Sequence, residues 1–326
     1  MPECGVNSIF RIKNEGESMG LQRRDLISGY DLDRKEVEAV FAMADELRSE
    51  SRKDSLNRLP GCSLAMIFQK PSTRTRVSFE AGISQLGGHG LFLSADDMQL
   101  KRGETIADTA RTLSRYVDAI MIRTYDHQDV IDLAQYADVP VINGLTDLLH
   151  PCQSLADFYT IRQKLDGLQG LKLAYVGDGN NVAHSLMITA AIVGTDIAVA
   201  TPKGFEPDKK IVNITRELAA ASGSKVELMN DPMAAVEAAN VIYTDVWASM
   251  GQEEEALLRR AIFKGYQIND EKLKIADPNA IVLHCLPAHR GEEITDSVID
   301  GAHSVVFDQA ENRLHIQKAI MYLVMS

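Results

Sequence analysis

The chain has 326 residues and a formal net charge of −12, with 45% hydrophobic and 25% charged residues. The composition is typical of a soluble globular protein, and the length suggests two domains. The negative charge disfavours nucleic acid or an anionic membrane as a partner. Its four cysteines are scattered and lack C-x-x-C spacing, which argues against a zinc knuckle or a disulfide framework, and no apolar run approaches the length of a membrane span.

The first 20 residues are polar and contain Glu3, Glu15 and Glu17. A secretory signal needs an apolar core and a transit peptide avoids acidic residues, so this segment fits neither. We interpret residues 1–20 as a loose leader and expect a cytoplasmic protein.

After the leader, a helical pattern that includes Val37, Val40 and Phe41 is followed by short apolar runs that alternate with further helical patterns. Strands are predicted at 62–68, 118–122, 140–142, 172–176, 196–199, 225–228, 240–243, 281–284 and 304–306. Helices are predicted at 75–86, 104–115, 126–136, 152–165, 181–193, 208–222, 232–238 and 310–323.

This alternation indicates βαβ units, and therefore an α/β fold with two doubly wound parallel-sheet domains and the active site in the cleft between them. We place the domains at 1–150 and 151–326, with the helix at 152–165 joining them. The last helix, about 310–323, is expected to pack back on the first domain.

The segment Lys-Pro-Ser-Thr-Arg-Thr-Arg at 70–76 lies between an apolar strand pattern and a helical pattern. Three hydroxyls and two guanidiniums would then lie at a helix N-terminus, which is a favourable place for a phosphate-like anion. The alternative is an N-capping serine followed by solvated arginines.

Other strand ends also carry polar residues. Arg123 ends one apolar run, and its alternative is a solvated strand-end arginine. His150 and Gln153 flank Pro151 at the start of a helix and can both face the cleft. The alternative for this pair is a capping histidine and a surface glutamine.

The Gly177-Asp178-Gly179 turn resembles a dinucleotide-binding fingerprint only superficially, because its third glycine position is Val182 and no acid ends the next strand. We therefore discount a dehydrogenase. The turn instead places Asn181 toward a small polar ligand.

Two further strand ends carry Asp245, which suits an ammonium group, and Cys285 before a proline turn. A helix-capping aspartate and a buried structural cysteine are the alternatives, and a Cys-His hydrolase lacks a local signature. Arg313 on the last helix would by itself pass as a surface residue. The histidines and acidic residues of the sequence show no metal-ligand spacing such as H-E-x-x-H.

Taken together, these motifs resemble the aspartate/ornithine carbamoyltransferase family, from about Leu21 to the C-terminus. The run at 72–76 and His150-Pro151 resemble the family's carbamoyl-phosphate motifs, and Asp245 to Gly251 and His284-Cys285-Leu286-Pro287 resemble its ornithine-specific motifs. The resemblance implies transfer of the carbamoyl group from carbamoyl phosphate to the δ-amine of L-ornithine, giving L-citrulline and phosphate in arginine metabolism.

The resemblance implies that Arg123, His150, Asp245 and Cys285 are catalytic. Carbamoyl phosphate would be bound by Ser72, Thr73, Arg74, Thr75, Gln99, Arg123, His150, Gln153, Cys285, Leu286 and Arg313. Ornithine would be bound by Asn181, Asp245, Ser249 and Met250. No metal or organic cofactor is expected.

In the family, the loop from Leu93 to Gly103 reaches a neighbouring subunit, and Gln99 matches its phosphate-binding position. We therefore expect a homotrimer or a higher assembly of trimers.

The alternatives to the ornithine reaction are an aspartate carbamoyltransferase or another carbamoyltransferase of the family, or a non-catalytic anion-binding relative.

Overall fold

The computed structural model describes residues 25–248 and 256–326, and it contains two parallel β-sheets flanked by helices. The nine strands of these sheets are β1 (Ser63–Phe68), β2 (His89–Ser94), β3 (Ala119–Arg123), β4 (Val141–Leu145), β5 (Lys172–Val176), β6 (Asp196–Ala200), β7 (Val226–Met229), β8 (Val241–Thr244) and β9 (Ile281–His284). The first sheet has the order β2-β1-β3-β4 and the second β7-β6-β5-β8-β9. The predicted α/β class is confirmed.

The described α-helices are α1 (Arg34–Ser49), α2 (Arg52–Ser55), α3 (Thr73–Gln85), α4 (Ile106–Leu113), α5 (His127–Tyr136), α6 (Pro151–Leu165), α7 (Asn181–Val193), α8 (Lys209–Ser222), α9 (Pro232–Val236), α10 (Ala256–Phe263), α11 (Asp270–Ile275), α12 (Asp296–Ile299) and α13 (Val306–Met325). Because helices cover both faces of the sheets, the central strands are buried along nearly their whole length and are mostly apolar, as β1 and β3 show. None of the described helices is long and apolar enough to cross a membrane.

Two predictions about strands were wrong. The strand β2 was not predicted, because it is an edge strand with exposed residues such as Leu91 and Phe92 and lacks a buried apolar run. The predicted strand at 304–306 does not form. Ser304 makes a single bridge to Val282, and α13 already begins at Val306.

Both sheets have a point at which the strand order reverses, between β1 and β3 in the first sheet and between β5 and β8 in the second. Parallel sheets bind ligands beyond the carboxyl ends of the strands at such points. Arg123 ends β3, and the segments after β1 and β8 carry Arg74 and Asp245, so the topology places these predicted polar residues at the carboxyl ends of the strands.

The last helix, α13, packs against the helices α1, α3 and α6. Gly82 on α3 allows this close approach, because a Cβ atom there would lie 2.8 Å from the terminal methyl of Met321. Earlier along the same helix, α13 carries Arg313. The close packing thus brings Arg313, from near the end of the chain, to α3.

Candidate active site

The N-terminus of α3 follows directly after the carboxyl end of β1. Ser72 is the N-cap, and its hydroxyl accepts a hydrogen bond from the backbone N–H of Thr75 over 3.2 Å. Thr75 is buried and Arg74 is half-buried. Ser72 therefore does cap the helix, but Arg74 is not the fully solvated side chain that the alternative interpretation required.

Arg123 at the end of β3 and Arg313 on α13 are both buried, with 5% and 4% exposure. The pKa of Arg123 falls to about 10, first because the side chain is buried and then because Arg313 and Arg74 lie nearby. Burial also lowers the pKa of Arg313, and Arg74 contributes to the decrease. The site therefore concentrates three positive charges in a chain whose net charge is −12.

The two buried arginines are only partly satisfied by their surroundings. The Nε atoms of Arg123 and Arg313 are buried and lack a hydrogen-bond partner among the residues that the structure describes. Buried polar groups are normally paired, and buried charges are normally neutralised. A small anion that reached this point would supply the missing acceptors and reduce the repulsion among the cations.

Arg313 joins the two predicted motifs on α3 and α6. Its guanidinium donates one hydrogen bond to Oε1 of Gln153 on α6 and another, 3.2 Å long, to the hydroxyl of Thr75 on α3. The sequence did not distinguish Arg313 from a surface arginine, but the packing of α13 places it beside both predicted motifs. Gln153 is likewise buried and is not a surface glutamine.

His150 is the N-cap position of α6, and Pro151 occupies the first helical turn as predicted. The backbone N–H of His150 donates to the hydroxyl of Ser185 over 2.7 Å, while its Nδ1 atom is buried without a described partner. Burial, together with the charges of Arg313 and Arg123, holds the pKa of His150 well below its usual value of 6.5. The imidazole is therefore neutral at physiological pH.

Across the cleft, Asp245 follows β8 and Cys285 follows β9. The thiol of Cys285 donates to Oδ1 of Asp245 over 2.9 Å, and the amide of Asn180 donates to Oδ2 over 2.9 Å. Burial raises the pKa of Cys285 well above its usual value, and the carboxylate of Asp245 adds to the rise. The thiol therefore stays protonated and acts as a hydrogen-bond donor, which argues against a nucleophilic thiolate.

Asn181 is the next residue after Asn180, and its side-chain amide donates to the carbonyl oxygen of Thr146 over 2.5 Å. Because Thr146 follows β4, this bond joins the second half of the cleft to the first. Leu286 is partly buried and has a positive φ of 57°. Its backbone N–H is held by Nδ1 of His284 over 2.9 Å.

Within the described residues, Gln99 is not brought into this cluster. Gln99 begins a 3₁₀ helix, Gln99–Arg102, and its side chain is exposed. Ser249 and Met250 lie outside the described residues.

Some functional neighbours were missed from the sequence. Asn180 was passed over for Asn181, yet it both caps α7 and binds Asp245. Arg259 forms an ion pair with Asp178 over 2.8 Å and donates to the carbonyl of Trp247 over 2.9 Å, which supports the segment after Asp245. These contacts join distant segments, so no local pattern could have indicated them.

Two groups of side chains in the described part of the chain have ligand atoms close enough to hold a metal ion. In the first, these atoms of Asp245, His284 and Cys285 all lie within 4.8 Å of one another. However, Nδ1 of His284 accepts from Leu286 and its Nε2 faces Glu293 at 3.0 Å, so both ring nitrogens are already used. The second group is His289, Glu292 and Glu293, of which His289 is exposed.

Comparison with known sequence families gives two adjacent matches. Residues 24–163 match the aspartate/ornithine carbamoyltransferase carbamoyl-P binding domain, and residues 169–324 match the Asp/Orn binding domain of the same family.

Individual relatives give the same result. The chain is 60% identical over 308 residues to an ornithine carbamoyltransferase of Thermococcus kodakarensis, which covers 94% of this chain and 98% of the relative. It is 58% identical over 308 residues to the anabolic ornithine carbamoyltransferase of Pyrococcus furiosus, again covering 94% and 98%. A solved structure of ornithine carbamoyltransferase from Pyrococcus furiosus superposes with a TM-score of 0.91 at 58% identity and covers 94% of this chain and 98% of that one.

Proposed function

The chain belongs to the aspartate/ornithine carbamoyltransferase family, and we propose that its cleft transfers the carbamoyl group of carbamoyl phosphate to the δ-amine of L-ornithine. One observation carries the proposal. Three mutually repelling arginines converge on one side of the cleft, two of them with a buried Nε that lacks a described hydrogen-bond partner, and a carboxylate paired with a neutral thiol lies on the other side. The first arrangement suits a phosphorylated substrate and the second suits a substrate with an ammonium group.

In this proposal the phosphate group binds at the N-terminus of α3. Ser72, Thr73, Arg74 and Thr75 supply hydroxyl, amide and guanidinium donors at the positive end of the helix dipole. Arg123 and Arg313 extend this positive surface toward the carbamoyl end of the substrate. The low exposure of both arginines supports the assignment, because charge-assisted hydrogen bonds are strongest where water is excluded.

Negative charge develops on the carbonyl oxygen as the amine attacks the carbamoyl carbon. Arg123 and His150 stabilise this oxygen, Arg123 as a cation and His150 as a neutral hydrogen-bond donor. The lowered pKa of His150 supports the neutral form, because the two buried arginines disfavour a third positive charge beside them. The carbamoyl amide is oriented by Oε1 of Gln153 and by the carbonyl oxygen of Leu286.

Ornithine binds on the other side of the cleft. Asp245 pairs with the α-ammonium group, while Asn181, Ser249 and the Met250 amide recognise the α-carboxylate end. Cys285 lies beside the ornithine side chain. Among the described residues, the side chains bonded to Asp245 are Asn180 and Cys285, neither of which is a cation. A second carboxylate, as in aspartate, would therefore find no charge partner at this pair.

The chemical step needs a neutral δ-amine, because an ammonium group has no lone pair. An alkylamine of this kind titrates near 10.4, so the site must favour its deprotonated form. The amine nitrogen then forms a bond to the carbonyl carbon, the bond from that carbon to the phosphate oxygen breaks, and phosphate leaves with the electron pair. The amine's remaining surplus proton is lost to solvent or phosphate. Holding both reactants in one cleft supplies part of the rate acceleration.

We also propose a homotrimer, or an assembly of trimers, in which Gln99 completes the phosphate site of a neighbouring subunit. The exposed apolar side chains of Val77, Leu91 and Phe92, on α3 and on the edge strand β2, support a contact between subunits at this face. Cys62, Cys152 and Cys285 are free thiols, which supports a reducing, cytoplasmic location. A role in arginine biosynthesis is supported by the anabolic relative.

The direct test is product formation by the purified protein. With carbamoyl phosphate and L-ornithine together, citrulline and phosphate should appear in equal amounts, and omitting ornithine should stop citrulline formation. Arg123→Ala is the matched loss-of-function variant and should abolish most of the activity. If the wild-type protein binds carbamoyl phosphate but carbamoylates no amine, it is the non-catalytic anion-binding relative instead.

A further inference from the structure

Asp157 lies on α6 one turn after Gln153, and its carboxylate is completely buried. It accepts hydrogen bonds from Nε2 of Gln153 over 2.8 Å, from Nε2 of Gln309 over 2.7 Å and from the hydroxyl of Tyr243 over 3.1 Å. These donors come from α6, α13 and β8. None of the roles assigned above uses this carboxylate.

The chemistry of its neighbours leaves only one orientation for the Gln153 amide. An ionised carboxylate only accepts hydrogen bonds, so the amide nitrogen must face Asp157, whereas a guanidinium only donates, so the amide oxygen must face Arg313. Both neighbours therefore require the same orientation. Rotating the amide by 180° would place donor against donor at Arg313 and acceptor against acceptor at Asp157.

We propose that Asp157 is a positioning residue, which holds the Gln153 amide with its oxygen toward the substrate and so makes the site selective for ligands that carry a terminal –NH₂ group. This inference rests on the proposed function, in which Oε1 of Gln153 meets the carbamoyl amide. An –NH₂ group donates to an oxygen but is repelled by a second amide nitrogen. The orientation of one buried amide thus distinguishes a carbamoyl group from a carboxylate of the same shape.

The proposed orientation of the Gln153 amide depends on the ionised state of Asp157. Burial raises the pKa of Asp157 to about 7, although the hydrogen bonds from Gln153, Gln309 and Tyr243 and the charge of Arg313 act in the opposite direction. Above that pH the carboxylate has only acceptors to offer. A neutral asparagine at this position would offer both a donor and an acceptor, so Arg313 alone would still favour this orientation of the Gln153 amide.

The test compares three phosphorus ligands at pH 8 as competitive inhibitors against carbamoyl phosphate. Phosphonoacetamide carries the terminal –NH₂ group, phosphonoacetate replaces it with a carboxylate oxygen, and inorganic phosphate lacks this end altogether. Asp157→Asn should weaken phosphonoacetamide about tenfold, consistent with losing one well-placed hydrogen bond in a buried site, and leave inorganic phosphate within twofold. The preference for phosphonoacetamide over phosphonoacetate should fall with it.

Tyr243→Phe is the matched control, because it removes a donor from the other carboxylate oxygen and leaves the contact with Gln153 in place. All three inhibition constants should stay within twofold. Equal weakening of phosphonoacetamide and phosphate by Asp157→Asn would show a merely structural role and overturn the proposal, as would unchanged binding of all three. If this variant does not fold, Asp157→Ser, whose hydroxyl also donates and accepts, should show the same selective loss.

The two proposals can fail separately. If wild-type protein forms citrulline but Asp157→Asn keeps its ligand preference, only the positioning role is lost. If the wild type itself shows no preference for phosphonoacetamide over phosphonoacetate, the assignment of Gln153 to the carbamoyl amide fails, and the role of Asp157 fails with it.

Discussion

The thiol of Cys285 donates a hydrogen bond to the carboxylate of Asp245 over 2.9 Å. The two residues are 40 positions apart, but they follow the adjacent parallel strands β9 and β8, whose carboxyl ends lie side by side. Because burial and this carboxylate keep the thiol protonated, the pair acts as one hydrogen-bonded unit. In the proposed function, ornithine would therefore contact a hydrogen-bonded thiol and carboxylate, and not a reactive thiolate.

Changing Cys285 to alanine should therefore impair the use of ornithine more than that of carbamoyl phosphate. Cys285→Ala leaves one oxygen of Asp245 without its donor, and kcat/KM for ornithine should fall about tenfold. Cys285→Ser keeps an O–H donor at nearly the same place and should retain more activity than Cys285→Ala. Steady-state kinetics with each substrate varied in turn measures both effects. A serine variant that is weaker than the alanine variant would contradict the hydrogen-bonding role.

Removing Arg74 should weaken transition-state stabilisation at the phosphate end of the substrate. Arg74→Ala should cost at least about 2 kcal/mol, roughly thirtyfold in kcat/KM for carbamoyl phosphate, because the phosphate loses a charge-assisted partner. Arg76→Lys is the control on the same helix, since Arg76 stacks over Phe92 and pairs with Glu80. If Arg74→Ala had normal carbamoyl-phosphate kinetics, the segment 72–76 would serve only as a helix cap and the assignment of Arg74 to the phosphate would be wrong.

Asp157 should make the stability of the wild type depend on pH. Its pKa is raised from 3.8 to about 7, so the folded chain binds this proton more tightly than the unfolded chain does. Ionising the group is therefore unfavourable in the folded state, and the free energy of unfolding should decrease as the pH rises from about 4 to about 7.

The comparison with Asp157→Asn isolates this contribution. Relative to the wild type, the melting temperature of Asp157→Asn should become higher as the pH is raised from 5 to 8. Asp25, whose pKa burial raises to about 6, titrates in both proteins and cancels in the difference. A difference that is constant with pH would mean that Asp157 does not titrate in this range.

The polar strand ends could be predicted from the sequence because parallel strands bring their carboxyl ends to one edge. Arg123, Asp245 and Cys285 were found in this way. The network around Asp157 could be predicted only in part. Its spacing of four residues from Gln153 on one helix indicates a contact, but Gln309 and Tyr243 reach it from distant segments.

The choice of Asn181 over Asn180 shows a similar limit. Both are polar residues at the start of α7, and only the folded chain shows that Asn180 reaches Asp245 while Asn181 reaches Thr146. The edge strand β2 was missed for a different reason. Its exposed apolar residues give no buried run, and their partner is expected to be another subunit.

If Gln99 completes a neighbouring subunit's site, two defective variants should restore each other. Subunits of Gln99→Ala and Arg123→Ala are mixed under conditions that exchange them, and hybrid sites then form in which both residues are wild type. A closed trimer regains at most one fully intact site, so recovery should be partial. Each variant taken through the same exchange alone is the control. Verified hybrids without any recovery would place Gln99 in its own subunit's site, or in none.

The most direct test of the central claim is the choice of the second substrate. At saturating carbamoyl phosphate and pH 8, kcat/KM is measured for L-ornithine and for L-aspartate with the same preparation. The Asp245–Cys285 pair favours an ammonium group and offers no cation to a second carboxylate, so ornithine should be preferred by at least about a thousandfold. Comparable values for the two amino acids, or a preference for aspartate, would contradict the account.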